Sequence, residues 1–240
     1  MGAIIPAIVP VSRKDLEDRL ARLSGLCSDV QIDIADGHFA GPATWPYAED
    51  IHEPSRMLAQ GEMFPHCDEF RIEIDLMSAE PEAVAGPFIG LCATRLTVHA
   101  ESTRYLTRFI DDMKQVHGHD RDFVPELLSV GVAIGIDTDL ALLKPYLPHV
   151  AYVQFMGIKT IGHQGEPFDP RVLQKVKAFK RLYPDIPLQV DGGVTKANAG
   201  QLLSAGVSRL VVGSALWKAP NLAAELREFN AIAETYGLYD

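Results

Sequence analysis

The stretch VQIDIADGHF, residues 30 to 39, alternates apolar and polar residues and then breaks at a glycine. In an extended chain successive side chains point to opposite faces, so Val30, Ile32 and Ile34 share one face and Gln31 and Asp33 the other. Two more apolar stretches carry carboxylates in the same frame: FRIEIDLM, with Arg71, Glu73 and Asp75, and IPLQVDG, with Gln189 and Asp191. Carboxylates gathered in one cavity repel each other, which raises the pKa of at least one of them and suits them to proton transfer. The same oxygens are ligands for a hard cation. Asp33, Asp75 and Asp191, each near the C-terminal end of its stretch, are the candidates for such chemistry. Arg71 and Glu73 lie deeper in theirs and read as a buried structural ion pair.

The elements that must position these residues follow a regular alternation. β-like runs fall at residues 3–9, 29–35, 70–77, 94–100, 129–136, 150–156, 186–192 and 208–214, with longer amphipathic segments between them. In residues 12–26, Leu16, Leu20 and Leu23 recur at helical spacing and Ser12 is placed to cap the start; residues 169–183 and 221–237 read the same way. Eight β-then-α units in this length predict an α/β fold, a (β/α)8 TIM barrel formed by residues 1–240 as one domain. A doubly wound sheet is the alternative, but it normally shows a sharper domain break. Barrel interiors are usually packed with branched apolar side chains, and barrel chemistry sits at the C-terminal strand ends. Polar inward faces ending in aspartate therefore point to a site.

Two glycine-bearing turns follow the last two strands. VDGGVTKANAG places Gly192 and Gly193 after the seventh, and LVVGSALWKA places Gly213 and Ser214 after the eighth, leading into a short helix. Glycines let backbone N–H groups approach an anion, and the loops after strands seven and eight are the common phosphate site of such barrels. His99 ends the fourth strand facing the barrel mouth, as a polar substrate contact or a satisfied core histidine. In the loop after strand six, Gly157 and Gly162 are candidate hinges for a lid, and Lys159 or His163 is placed to reach a ligand. His38, His52, His66, His117, His119 and His149 read as solvated. Asp36 and Gly37 shape the turn after strand two. Ser-His-Asp and P-loop patterns are absent.

The net charge of −10 argues against nucleic acid or an anionic membrane as partner, since both favour basic surfaces. Cys27, Cys67 and Cys92 are an odd number without CxxC spacing and read as reduced thiols. No secretory signal or spanning segment is visible, so a cytoplasmic location is expected.

At this point the chain resembles the ribulose-phosphate 3-epimerase family of the ribulose-phosphate-binding barrels. IIPAIVPVS resembles the family's first strand, VQIDIADGHF its His-x-Asp-x-Met-Asp-Gly-x-Phe motif, EIDLMSAEPE its Asp-x-His-Leu-Met segment and LTVHAES its fourth strand. VGVAIGIDTDLALLKPYL resembles the segment after these, and VDGGVTKANAGQLLSAGVSRLVVGSAL matches the phosphate half most closely. The resemblance implies a metal-dependent isomerase that inverts C3 of D-ribulose 5-phosphate in pentose phosphate metabolism. It also implies a homo-oligomer. Its two proton-transferring aspartates fall on Asp33 and Asp191, and a substrate-facing methionine on Met77.

The chain also departs from the family pattern. Gln31 and Asp75 stand at the two histidine ligand positions, Ala7 replaces a serine and Ala35 a methionine. Without imidazoles, the ligand set implied by the resemblance becomes the Gln31 oxygen with Asp33, Asp75 and Asp191. That set suits Mg²⁺ or Mn²⁺ better than Zn²⁺. The alternative is a metal-free site in which Gln31 donates to the enediolate and a proton is trapped among the carboxylates. A diverged sugar-phosphate lyase or isomerase, or a non-catalytic sugar-phosphate-binding barrel, are the competing functions. The Asp-x-Lys-x-x-Asp motif of related decarboxylases is absent, because EIDLMSAE holds no lysine.

Overall fold

A computed structural model describes residues 2–117, 128–162 and 165–237. Its strands are β1 (Ala3–Ile8), β2 (Asp29–Ala35), β3 (Arg71–Met77), β4 (Ala93–His99), β5 (Ser129–Ile134), β6 (Tyr152–Met156), β7 (Leu188–Asp191) and β8 (Arg209–Val212). They pair in parallel in chain order, and β8 pairs with β1 to close the barrel. The helices are α1 (Arg13–Leu23), α2 (Glu53–Ala59), α3 (Pro81–Gly90), α4 (Leu106–His117), α5 (Arg171–Leu182), α6 (Lys196–Ser204), α7 (Ser214–Trp217) and α8 (Leu222–Tyr236). This is the (β/α)8 barrel expected from the alternation, with one difference. Between β5 and β6 the chain makes only a 3-10 turn, Leu140–Leu143, in place of an α-helix. No described helix is long and apolar enough to cross a membrane.

Period-two alternation decides what each strand face touches. Val30, Ile32, Ile34, Ile72, Ile74 and Leu76 point outward and pack with helix residues such as Leu16, Leu20, Phe88 and Phe179 in one continuous core. Ser12 caps α1 as expected, its side chain accepting from the Asp15 N–H at 3.1 Å. The inward faces form a different environment. Apolar residues there include Ile5, Ala7 and Val211, a group around Ala35 and Met77, and Met156.

The rest of the interior is polar and ordered from the bottom up. Glu73, fully buried, accepts from Arg95 Nε at 3.0 Å and from Arg209 at 2.9 Å. Thr97 Oγ1 (2.9 Å), Tyr152 OH (3.2 Å) and Gln189 Nε2 (2.7 Å) complete its shell. The Arg95 guanidinium lies 3.9 Å from the centre of the Tyr152 ring. Tyr152 fits because β5 has glycine opposite it; a Cβ on Gly131 would come within 2.2 Å of that ring. The buried ion pair expected for Glu73 is therefore present, but Arg71 takes no part in it. Arg71 sits at the first residue of β3, is exposed, and pairs with Asp29 at 2.6 Å. The partners of Glu73 come instead from β4 and β8, where long side chains reach in from the barrel's lower rim.

Burial acts to raise the Glu73 pKa, but Arg95 and Arg209 outweigh it and pull the group from 4.5 down to about 2. A depressed carboxylate pKa contributes stability above its unfolded value and loses it as pH falls through the folded one. Here that window runs from about 4.5 to about 2, and the shift corresponds to about 3 kcal/mol. At pH 7, Glu73→Gln leaves two half-buried guanidiniums short of an anion and should destabilise the fold by about 3 kcal/mol. Denaturant unfolding from pH 7 down to 2 should show the gap between wild type and variant narrowing across that window.

Candidate active site

Above the ion-pair layer, three glutamines carry its polarity upward. The Arg209 Nε–H donates to Gln189 Oε1 at 2.8 Å, and the Gln189 amino group faces Glu73. Arginine only donates and a carboxylate only accepts, so the orientation of this amide is fixed from both ends. The two N–H of Gln189 Nε2 face three acceptors, Glu73 Oε1 and Gln154 Oε1 at 2.7 Å and Gln31 Oε1 at 3.0 Å, so one hydrogen is shared between two of them. The amino groups of those two residues then face the mouth. Gln31 Nε2 donates to Asp33 Oδ1 at 2.8 Å and, more weakly, to Asp191 Oδ2 at 3.4 Å. Gln154 Nε2 donates to Asp75 Oδ2 at 2.8 Å.

Asp33, Asp75 and Asp191 thus meet at the C-terminal ends of β2, β3 and β7. Each offers an oxygen within 4.8 Å of the others. Asp75 is fully buried, while Asp33 and Asp191 keep 7% and 8% of their surface exposed, enough to meet a small ligand. Burial, with Asp191 and Asp75 adding repulsion, raises the Asp33 pKa well above the usual carboxylate range. Burial and the charge of Asp75 lift Asp191 to about 7. His99 Nε2 lies 3.1 Å from Asp75 Oδ1. Burial opposes its charged form, but Asp75 outweighs this and raises its pKa. Its ring packs on Phe39, and its Nδ1 is buried without a partner.

A cavity of about 50 Å³ opens beside Asp33 and Asp191. Met77, Gly192, Gly193, Gly213 and Ser214 line it, as the sequence led one to expect, together with Met156 and Glu166. Gly192 and Gly193 have φ of +97° and +67°, and a Cβ on Gly193 would lie 2.7 Å from Phe168 Cα. These positions require glycine, which bends the backbone around the cavity. The loop after β6 closes over this space. Ile161 packs on the Ala35–Met77 group, and Gly162 abuts Gly41, where an added Cβ would lie 2.9 Å from the Gly41 backbone.

Other expectations resolve differently. Gln31 and His99 do not line the cavity; they stand behind the aspartates. The Gln31 oxygen expected to face a metal is turned down to Gln189, because Gln189 can offer it only an N–H. Lys159 is exposed and stands away from the cavity lining, while His163 lies outside the described residues, as does the stretch of HGHD from Gly118 onward. Asp36 builds the turn, accepting from the His38, Phe39 and Ala79 N–H groups at 2.7–2.8 Å. Sequence reasoning missed Gln154, Arg95 and Arg209. The signal for Gln154 was present in YVQFM, where Tyr152, Gln154 and Met156 share the inward face.

The ribulose-phosphate 3 epimerase family model matches residues 3–217. The chain belongs to that family. Among curated relatives it is 23% identical to a ribulose-phosphate 3-epimerase of Aquifex aeolicus, over 88% of this chain and 87% of the relative. It is 26% identical to a chloroplastic ribulose-5-phosphate-3-epimerase of Arabidopsis thaliana, over 95% and 76%. The Bacillus subtilis ribulose-phosphate 3-epimerase is 28% identical, over 78% and 79%. Among solved structures, KGPDC from Streptococcus mutans superposes with a TM-score of 0.68 at 16% identity, covering 98% of both chains. A 3-hexulose-6-phosphate synthase gives 0.66 at 16% identity, covering 96% and 99%. These two establish the shared barrel.

The donor set of the aspartate cluster fits a divalent metal of the kind this family depends on. Three hard oxygens converge, and their mutual charge calls for a cation or a proton. In the absence of metal, a carboxylate with a raised folded pKa weakens the fold once pH exceeds its unfolded value. Asp33→Asn should therefore raise stability at pH 7 in EDTA by about 1–2 kcal/mol. Thermal unfolding measures this, and a lower melting temperature would show that repulsion among the carboxylates does not govern stability at this position.

Proposed function

We propose that this chain is a sugar-phosphate epimerase that inverts C3 of a ketose phosphate such as D-ribulose 5-phosphate, with Asp33 and Asp191 as the proton-transferring pair. The observation that carries this reading is two nearly buried carboxylates with raised pKa, from β2 and β7, lining one glycine-walled cavity. Inversion by proton transfer needs a base on one face of the carbon and an acid on the other. A cluster that holds a proton near neutral pH supplies both forms at once. The ionised aspartate takes the C3 proton, an enediolate forms, and the protonated aspartate returns a proton to the opposite face. The reverse direction exchanges the two roles.

In this reading the backbone N–H groups of Gly193, Gly213 and Ser214, which line the cavity, hold the phosphate, while the Gly192 N–H serves the Asp191 carboxylate. Met77 and Met156 give the carbon chain an apolar wall. The cavity of about 50 Å³ is smaller than the ~300 Å³ at which ligand pockets begin. The loop over it must therefore open to admit a sugar phosphate and then exclude water. Asp33, Asp75 and Asp191 would hold a divalent metal, with Mg²⁺ or Mn²⁺ favoured over Zn²⁺ because the donors are oxygens alone. When bound, such an ion supplies positive charge where the substrate oxygens become negative.

The decisive experiment incubates the protein with D-ribulose 5-phosphate in D₂O, with EDTA or with Mn²⁺, and follows C3 by NMR. Deuterium should enter C3 as xylulose 5-phosphate appears, and Asp33→Asn should slow this by about 10³-fold while phosphate binding persists. Binding without exchange for any ketose phosphate would overturn the reading. Independently of turnover, Mn²⁺ should raise the melting temperature of the wild type more than that of Asp75→Asn.

A further inference from the structure

The glutamines between the ion-pair layer and the aspartates form a directed array. Gln189 can adopt only one amide orientation, since a donor (Arg209 Nε, 2.8 Å) and an acceptor (Glu73 Oε1, 2.7 Å) address its two ends. Gln31 and Gln154 are each contacted from below through their oxygens alone and above through their nitrogens alone. All three are fully buried. If Gln31 were reversed, its oxygen would face Asp33 and Asp191, acceptor against acceptor wherever the carboxylate is ionised. Reversing Gln154 would do the same to Asp75.

We propose that Gln189 is a positioning residue for the aspartate site. By locking the polarity of Gln31 and Gln154, it makes both present N–H groups to Asp33, Asp191 and Asp75. Gln31 thereby holds Asp33 through Oδ1, and Gln154 holds Asp75 through Oδ2, whose other oxygen faces His99. The catalytic part of this inference rests on the epimerase reading above; the polarity lock itself does not. The arrangement also accounts for the two departures from the family pattern together. The glutamine at position 31 meets the central amide directly, and the aspartate at position 75 is reached from it through Gln154.

The test reverses the central group with Gln189→Glu, which offers only acceptors to its neighbours. Side-chain NH₂ resonances of Gln31 and Gln154 are assigned by Gln31→Met and Gln154→Met. In the parent protein, Asp33→Asn should shift the Gln31 signals and Asp75→Asn those of Gln154. In the Gln189→Glu background both responses should fall to the level of a distant control such as Gln201. Equal responses in the two backgrounds would overturn the polarity lock. If Gln189→Glu does not fold, Gln189→Met takes its place, and the same NH₂ protons should exchange with D₂O faster than in the parent; unchanged exchange would overturn the proposal.

In the kinetic arm, the folded Gln189 variant should lower kcat by about 100-fold with KM within about threefold, because misplaced carboxylates affect the reacting geometry and not phosphate capture. An unaltered kcat, or a loss confined to KM, would overturn the positioning role. A wild type that epimerises no ketose phosphate would remove the epimerase reading while leaving the NMR result to decide the polarity.

Discussion

A carboxylate sealed from water survives as an anion only if cations stand at hydrogen-bond distance, and Glu73 has two. Arg95 and Arg209 reach it from β4 and β8, so three strands are tied together at the centre of the barrel. The pairing does more than stabilise. Its donors and acceptors leave the next residue up, Gln189, a single way to face, and that choice passes to Gln31 and Gln154. The three aspartates at the mouth receive N–H groups because an ion pair two layers below demanded it. In most barrels the equivalent layers are apolar and transmit no direction. Here the interior is a wired stack.

The two ends of this stack pull in opposite directions energetically. At the bottom, opposite charges meet and Glu73 is held strongly ionised. At the top, like charges meet, and Asp33 and Asp191 are held toward their protonated forms. A barrel built for stability alone would have no reason to gather three acids in one buried place. Such a cluster stores repulsion that stability alone does not call for, which is what the proposed proton transfer draws on.

Much of this was legible in the sequence, for identifiable reasons. Alternation with period two marked the strands, and the aspartates at their C-terminal ends marked the mouth. Gly192 and Gly193 could be read because few residues tolerate the backbone they build. What escaped were partnerships across the barrel. Arg71 and Glu73 are two apart on one strand and looked like partners, yet Arg71 lies at the rim with Asp29 while Arg95 and Arg209 reach inward. Gln154 was a lone polar residue in a short run, and its role appears only when β6 is laid beside β7. The polarity of an amide leaves no trace in a sequence at all. It is a property of the closed network.

The loop that presses on Gly41 and the Ala35–Met77 group has a kinetic meaning as well as a steric one. The closed barrel leaves room for little more than water beside Asp33, so under the proposed function a sugar phosphate enters only an opened form. Ligand affinity is then diminished by the fraction of molecules open at any moment. Substitutions that loosen Ile161 or Gly162 would tighten binding by enlarging that fraction, even though neither residue need touch the ligand. In a barrel that closes in this way, the affinity for whatever enters is set in part by how firmly the empty site shuts.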